Sequence, residues 1–165
     1  IAYHLAAMAA GVGFRVHVVD DREKFANVER FPDAAEVVVD SIPEWLHRAA
    51  IPTFAYAVIV TRGHRHDLDA LRVLATHDLR YLGLIGSRAK VSRIFESLME
   101  ESMPAECLRR VHAPIGLDIG AVTPQEIAVS ILAELIAVKY GRAGRDDAET
   151  PAHSLSWTPK SVETS

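Results

Sequence analysis

The chain has 165 residues, about the length of one domain, and 49% of them are hydrophobic, so it can build a full core. No unbroken apolar run approaches the roughly 18 residues that a membrane span requires, and no signal peptide is visible. The formal net charge of -4 gives no support for a nucleic-acid surface. The single cysteine, Cys107, rules out an internal disulfide framework, which fits a reducing cytoplasm. We therefore expect a cytoplasmic domain with no nucleic acid and no membrane among its partners.

Helices and strands alternate along the sequence. The hydrophobic spacing predicts a helix over 1–11, a strand over 14–19, a surface loop over 25–35, a strand over 36–39, a helix over 43–50 and a strand over 56–60. A helix through Leu68 and Leu74, a strand over 81–85, a helix from Val91 to Met99 and a short helical turn through Cys107 follow. A short apolar segment from Val111, which we count as the last strand, then leads to a helix ending near Gly141. This order predicts an α/β fold, a doubly wound, mostly parallel sheet with helices on both faces. We expect one domain over 1–141 and a flexible tail over 142–165, in which Trp157 is either a docking point or without a role.

The strongest local signal is Thr-Pro-Gln-Glu at 123–126, which has the form of a capping box with proline at the first helical position. The Thr123 hydroxyl can accept an amide proton of the first turn, and Glu126 can return to the cap amide. The loop before it, 114–123, has too little apolar surface for core and too much glycine for a spacer. We expect that loop to be shaped around a ligand.

Four segments follow predicted strands: 20–22, 61–64, 86–88 and 112–114. Right-handed crossovers place the carboxyl ends of parallel strands at one edge of the sheet, where ligands bind in open α/β folds. We therefore expect these segments to line one crevice.

Cationic side chains recur in and beside these segments: Arg22, Arg62, Arg88 and Lys90. Two helices begin at the same edge, after Gly63 and after Ser87, and helix N-termini point backbone amides at anions. Arginine adds a bidentate fork that suits phosphate. The edge predicts an anionic, phosphorylated ligand, with Asp20 placed to bind a hydroxyl. The alternative is that the arginines are solvated and that Asp20 and Asp21 only make a turn.

Catalytic groups are sparse by comparison. His64, His66 and Asp67 have the residue types for half of a metal site, but the i, i+2 spacing is poor on a helix. His64 is the better candidate for ligand contact or proton transfer. No lysine follows a tyrosine by four positions, and no Ser-His-Asp or Cys-His grouping stands out. The edge is better equipped to hold a ligand than to transform one.

Motifs of a known family occur in order along the chain. They are Val-Val-Asp-Asp-Arg at 18–22, Phe-Ala-Asn at 25–27, Arg-Phe-Pro at 30–32, Val-Thr-Arg-Gly-His at 60–64 with Asp67, Gly-Leu-Ile-Gly-Ser-Arg at 83–88 with Lys90, and His-Ala-Pro-Ile-Gly-Leu-Asp-Ile-Gly at 112–120 followed by Thr-Pro-Gln-Glu-Ile-Ala-Val-Ser-Ile at 123–131. Together they resemble the C-terminal Rossmann domain of the XdhC/CoxI family over roughly 1–141.

The resemblance implies a chaperone rather than a redox enzyme. The family is implicated in maturing xanthine dehydrogenase and related molybdenum hydroxylases, and it binds the molybdenum cofactor and supports its modification and insertion. The implied partners are a xanthine dehydrogenase-type apoenzyme and a sulfurtransferase, and a homodimer is compatible with this role. Molybdopterin carries a terminal phosphate, which suits the cationic edge. The residues predicted to bind it are Asp20, Asp21, Arg22, Thr61, Arg62, Gly63, His64, Gly86, Ser87, Arg88, Lys90, Pro114, Gly116, Asp118 and Glu126.

The resemblance also predicts what this sequence lacks. The family domain opens with a strand and a Gly-x-Gly-His loop, whereas this chain begins at Ile1 inside a helical pattern. We expect a longer gene product to supply that strand between 14–19 and 56–60. Direct pairing of those two strands in a closed sheet would contradict this hypothesis.

Two other functions fit the residues. An NAD(P)-dependent oxidoreductase would use the same crevice, but an obvious proton donor is missing. A non-catalytic interaction module would keep the fold and have lost its ligand, which the missing Gly-rich loop favours.

Overall fold

The computed structural model describes residues 1–142, so the predictions for the tail and for Trp157 lie outside the described residues. Its elements in chain order are α1 Ala2–Gly11, β1 His17–Asp20, β2 Glu36–Val39, α2 Ile42–Arg48, β3 Tyr56–Ile59, α3 His64–Leu74, β4 Tyr81–Leu84, α4 Arg88–Glu100, α5 Ala105–Arg109, β5 Val111–His112 and α6 Pro124–Lys139. The predicted α/β alternation is therefore confirmed. Within these residues no helix combines the length and apolar character needed to cross a membrane.

The first strand begins later than its sequence predicts. The β-branched run indicated a strand from Phe14, whereas β1 begins at His17. The Phe14 amide donates to the Ala9 carbonyl at 3.0 Å, so this residue is still bound to the end of α1. The ladder with β2 starts only where His17 comes opposite Glu36.

All strand pairs are parallel, and they form two sheets. β1 pairs with β2, and β3, β4 and β5 form a second sheet in that order. Within residues 1–142, β1 and β3 share no ladder, so the direct pairing that would contradict the missing-strand hypothesis does not occur. Two side-chain contacts span the sheets instead. The Phe14 and Tyr56 rings meet edge to face at 5.3 Å, and Arg62 Nη2 lies 3.0 Å from Asp21 Oδ2.

The predicted helices on both faces are confirmed by the two hydrophobic clusters. Along β4, Leu82 and Leu84 pack into a cluster with α2, α3, α4 and α5. The alternate residue Tyr81 packs with α1 and α6 on the other face. All four residues of β4 are buried, which is the pattern of a strand covered on both sides.

Gly83 permits the closest packing on the α6 face. A Cβ at this position would overlap the side chain of Ile115 and approach the Tyr81 ring. Ile115 belongs to the loop after β5, and it is 8% exposed. The missing side chain of Gly83 therefore lets this loop lie flat against the central strand.

Candidate functional site

The turns after β1, β3, β4 and β5 lie side by side. We call the segments 20–22, 61–67, 85–90 and 113–122 the carboxyl edge. Backbone hydrogen bonds join neighbouring turns, because Ile85 N donates to Ile59 O at 3.0 Å and Ile115 N donates to Leu84 O at 3.1 Å. The Arg62–Asp21 bond joins the remaining pair of turns. The structure thus brings the predicted segments together as a row along one edge.

At the end of β1, Asp20 and Arg22 form a two-pronged ion pair. Arg22 Nε and Nη2 donate to the two Asp20 oxygens at 2.8 and 2.9 Å, and the Arg22 amide donates to Oδ1 at 3.0 Å. The guanidinium also lies over the Phe25 ring, 4.0 Å from its centroid. Partial burial acts to raise the pKa of Asp20, but the bonds and charge of Arg22 outweigh it and hold that pKa below its ordinary value. Both residues are therefore engaged with each other.

Asp21 and Arg62 form the second pair of this corner. Their 3.0 Å bond spans 41 positions in the sequence and both side chains remain partly exposed, at 35% and 47%. Arg22 Nε lies 3.7 Å from the other Asp21 oxygen. Two of the four predicted cations thus have internal carboxylate partners.

Lys90 is the third paired cation. Its amine meets the Oδ2 atom of Asp67, a residue that is 0% exposed at the first turn of α3. Thr61 donates to the other Asp67 oxygen at 2.6 Å. The half metal site considered for His64, His66 and Asp67 therefore lacks an available carboxylate. Within residues 1–142 no group of three or more His, Cys, Asp or Glu side chains is arranged to hold a metal ion.

The start of α4 presents the fourth cation. Ser87 is its N-cap, and its hydroxyl accepts from the Lys90 amide at 3.3 Å. Arg88 is exposed and has no ion-pair partner in the part of the chain that the structure describes. His64, the first residue of α3, is exposed as well. Of the four cations predicted to bind phosphate, Arg88 is therefore the one whose charge is not compensated by another described residue.

Glu134 of α6 organises the loop after β5, and sequence inspection missed it. Its carboxylate accepts from His112 Nδ1 at 3.0 Å, from the Tyr81 hydroxyl at 2.5 Å and from the Gly116 amide at 2.8 Å. Burial acts to raise its pKa, but these bonds outweigh burial and hold the pKa below its ordinary value. Burial, followed by the Glu134 charge, raises the pKa of Tyr81. The available signal was an acidic residue beside the apolar Ile131 and Leu135 of α6.

Gly116 is fixed by backbone geometry as well as by Glu134. Its φ of +95° is in the left-handed region, and a Cβ would overlap the Ser130 hydroxyl. Ser130 in turn donates to the Leu117 carbonyl at 2.5 Å. Pro114 and Asp118 are exposed in the same loop. The loop is therefore held rigidly against α6 while its tip faces solvent.

The predicted capping box is present, and the Glu126 carboxylate is one of its hydrogen-bond acceptors. The Thr123 hydroxyl accepts from the Glu126 amide, and Glu126 Oε2 accepts from the Thr123 and Val122 amides at 2.8 and 2.9 Å. These backbone bonds lower the pKa of Glu126. Its ligand contact stays a prediction, since the carboxylate already closes the first turn of α6.

Several side chains of the carboxyl edge are exposed, among them His64, Arg88 and Asp118. A cavity of about 240 Å³ lies at the opposite end of β4, lined in part by His77, Tyr81, Cys107 and Arg110. None of the predicted binding residues lines it. Its volume is below the roughly 300–1,000 Å³ of typical small-molecule sites, so we place the candidate site at the carboxyl edge.

Comparison with known proteins matches residues 1–135 to the model of the XdhC Rossmann domain. The chain is 36% identical over 141 residues to the Escherichia coli protein YqeB, covering 85% of this chain and 26% of that protein. It is 32% identical over 135 residues to a Bacillus subtilis protein named as a probable xanthine dehydrogenase subunit, covering 82% and 39%. A xanthine dehydrogenase crystal structure from Bacillus halodurans superposes with a TM-score of 0.76 at 31% identity, covering 91% and 42%.

These relatives are longer than the chain, which spans from about a quarter to two fifths of their lengths. The family match covers most of the residues that the structure describes, and the fold and motif order agree with it. The chain belongs to the XdhC family, of which it carries the Rossmann domain.

Proposed function

We propose that this chain is the Rossmann part of an accessory protein that binds the molybdenum cofactor and delivers it to a xanthine dehydrogenase-type apoenzyme in the cytoplasm. One observation carries the proposal. Of four segments that match the family, 18–22, 83–88 and 112–120 each cover the end of a strand and the turn after it, and 60–64 begins directly after β3. The family match and the carboxyl edge therefore coincide.

The residues present fit a pterin that ends in phosphate. Arg88 offers an uncompensated guanidinium at the first turn of α4, where backbone amides also face the edge. Asp20 and Asp21 offer carboxylate oxygens to hydroxyl or ring N–H donors at the other corner. Gly116 and its neighbours form a rigid end of the row, because Glu134 and Ser130 hold this loop against α6. The bound cofactor would supply the metal chemistry of the recipient enzyme, whereas the chain's own residues bind and orient it.

A titration tests the proposal. Molybdopterin, NAD and NADP are titrated separately into the purified chain, and binding is followed by calorimetry. We expect molybdopterin to bind and Arg88→Ala to weaken it about tenfold, since a charge-assisted hydrogen bond contributes about 1.5–3 kcal/mol. Arg93→Ala removes an exposed arginine from the same helix and should leave binding unchanged.

Three outcomes would speak against the proposal. Tight binding of a nicotinamide cofactor without molybdopterin binding would favour the oxidoreductase. Binding of neither, with retained affinity for the apoenzyme, would favour the interaction module. Equal losses from Arg88→Ala and Arg93→Ala would remove the carboxyl edge as the binding site.

A further inference from the structure

The corner between β1 and β3 contains its own counter-ions. We call Asp20, Asp21, Arg22 and Arg62 the counter-ion cluster. Two carboxylates and two guanidinium groups lie in contact there, so their formal charges cancel. The corner is therefore not the positively charged site that Arg22 and Arg62 alone would form.

The two arginines of the cluster are held differently. Arg22 uses Nε and Nη2 on Asp20, and one face of its guanidinium lies over Phe25, so it is part of the turn itself. Among the described residues, Arg62 donates only through Nη2, to Asp21, and its side chain is 47% exposed. An incoming anion can therefore approach Arg62, but it meets the Asp21 carboxylate that is already bound to this guanidinium.

We propose that Asp21 determines ligand specificity by acting as a built-in counter-ion that excludes phosphate from Arg62. A phosphate at Arg62 must either displace the Asp21 carboxylate or bind beside it. Beside it, the phosphate is repelled, because both groups carry negative charge. An uncharged hydroxyl or ring N–H meets no such repulsion and can donate to Asp21. The inference rests on the proposed function in assigning this corner to the uncharged end of the cofactor.

The same geometry orients the ligand. Phosphate is disfavoured at Arg62, in the turn after β3, and accepted at Arg88, at the start of α4 after β4. Neutralising Asp21 should therefore turn a selective corner into a general anion site. A purely structural role for Asp21 makes the opposite prediction, because loss of the pair would then leave anion affinity unchanged or lower.

Inorganic pyrophosphate is the probe for the test. We expect Asp21→Asn to bind pyrophosphate about tenfold more tightly than the wild-type chain at about 0.05 M ionic strength, and the gain to shrink at about 0.3 M because exposed charges are screened. Asp21→Asn combined with Arg62→Gln should lose the gain. Asp33→Asn removes the same charge ahead of the amino end of β2, whereas Asp21 follows the carboxyl end of the parallel strand β1, and it should change affinity less than about twofold.

The result has defined ways to fail. Unchanged, weaker or undetectable pyrophosphate binding by Asp21→Asn overturns the inference, as does a gain that survives in the double variant. Matched thermal unfolding of all variants checks that they fold alike. If Asp21→Asn gains pyrophosphate affinity but the chain does not bind molybdopterin, the proposed function is wrong and the counter-ion role of Asp21 is supported. If the chain binds molybdopterin but Asp21→Asn gains no pyrophosphate affinity, the counter-ion role is wrong and the proposed function is supported.

Discussion

At the scale of single residues, Glu134 is the connecting side chain that sequence inspection missed. It receives hydrogen bonds from β4, from β5 and from the loop after β5, through Tyr81, His112 and Gly116. A leucine at this position would leave the buried Tyr81 hydroxyl and the partly buried His112 and Gly116 donors without this acceptor. Each unsatisfied group costs about 1–3 kcal/mol, so we expect Glu134→Leu to lower the free energy of unfolding by about 3 kcal/mol.

The effect should depend on pH. The folded-state pKa of Glu134 lies below the ordinary value, so its contribution is complete above the unfolded-state pKa and is lost as pH falls through the folded-state pKa. The deficit of Glu134→Leu should therefore be largest near neutral pH and shrink below about pH 4.5, which urea unfolding at several pH values would measure. Glu96→Leu, an exposed site on α4, is the control. A deficit of equal size at all pH values would contradict the role of the charge.

The sequence predicted which residues lie together at the carboxyl edge. It did not predict the hydrogen-bond and ion-pair partners of their side chains. Strand order places Arg62 and Asp21 at the same edge, although they are 41 positions apart. Whether a guanidinium there faces a ligand or a carboxylate depends on side-chain geometry. Hydrophobic periodicity gives no information about that geometry. Glu134 was missed for the same reason, since its three donors come from 18, 22 and 53 positions away.

At the scale of elements, the start of α6 is fixed by sequence-local bonds, and the sequence predicted it correctly. The Thr123 hydroxyl is the side-chain acceptor of the cap. We expect Thr123→Ala to cost about 1 kcal/mol and Thr123→Ser to cost less than half of that, because serine keeps the acceptor. Urea unfolding measures both. Gln125→Ala, two positions on and exposed, should be neutral, and a loss there equal to that of Thr123→Ala would show that the cap is not responsible.

The junction of α3 and α4 depends on one buried charge. Asp67 is 0% exposed, and Lys90 is its ion-pair partner. Lys90→Met leaves the carboxylate without that partner, and breaking a buried pair in this way costs about 3–5 kcal/mol. We expect the double variant Lys90→Met with Asp67→Asn to be more stable than Lys90→Met alone. Lys24→Met, in an exposed loop, is the control, and a double variant less stable than the single one would contradict the pairing.

At the scale of the whole molecule, the two sheets differ in how well they are covered. β4 is buried on both faces, whereas no residue of β1 or β2 is fully buried. The described residues place no ladder between β1 and β3, and the contacts across this gap are made by side chains, Phe14 with Tyr56 and Arg62 with Asp21. Binary pattern predicts the four longer strands, with β1 starting three residues too early, but it carries no information on which strands become neighbours.

This difference predicts separate local stabilities. We expect amides of β1 and β2 to exchange with deuterium faster than those of β4, because few buried contacts hold them closed. Phe14→Ala removes the ring that meets Tyr56 across the sheets and should accelerate exchange in β1 and β2 about tenfold, with a smaller effect on β4. Phe54→Ala removes a ring that is 71% exposed and serves as the matched control. Uniform protection of all five strands, or equal acceleration by both variants, would show instead that the two sheets open as one unit.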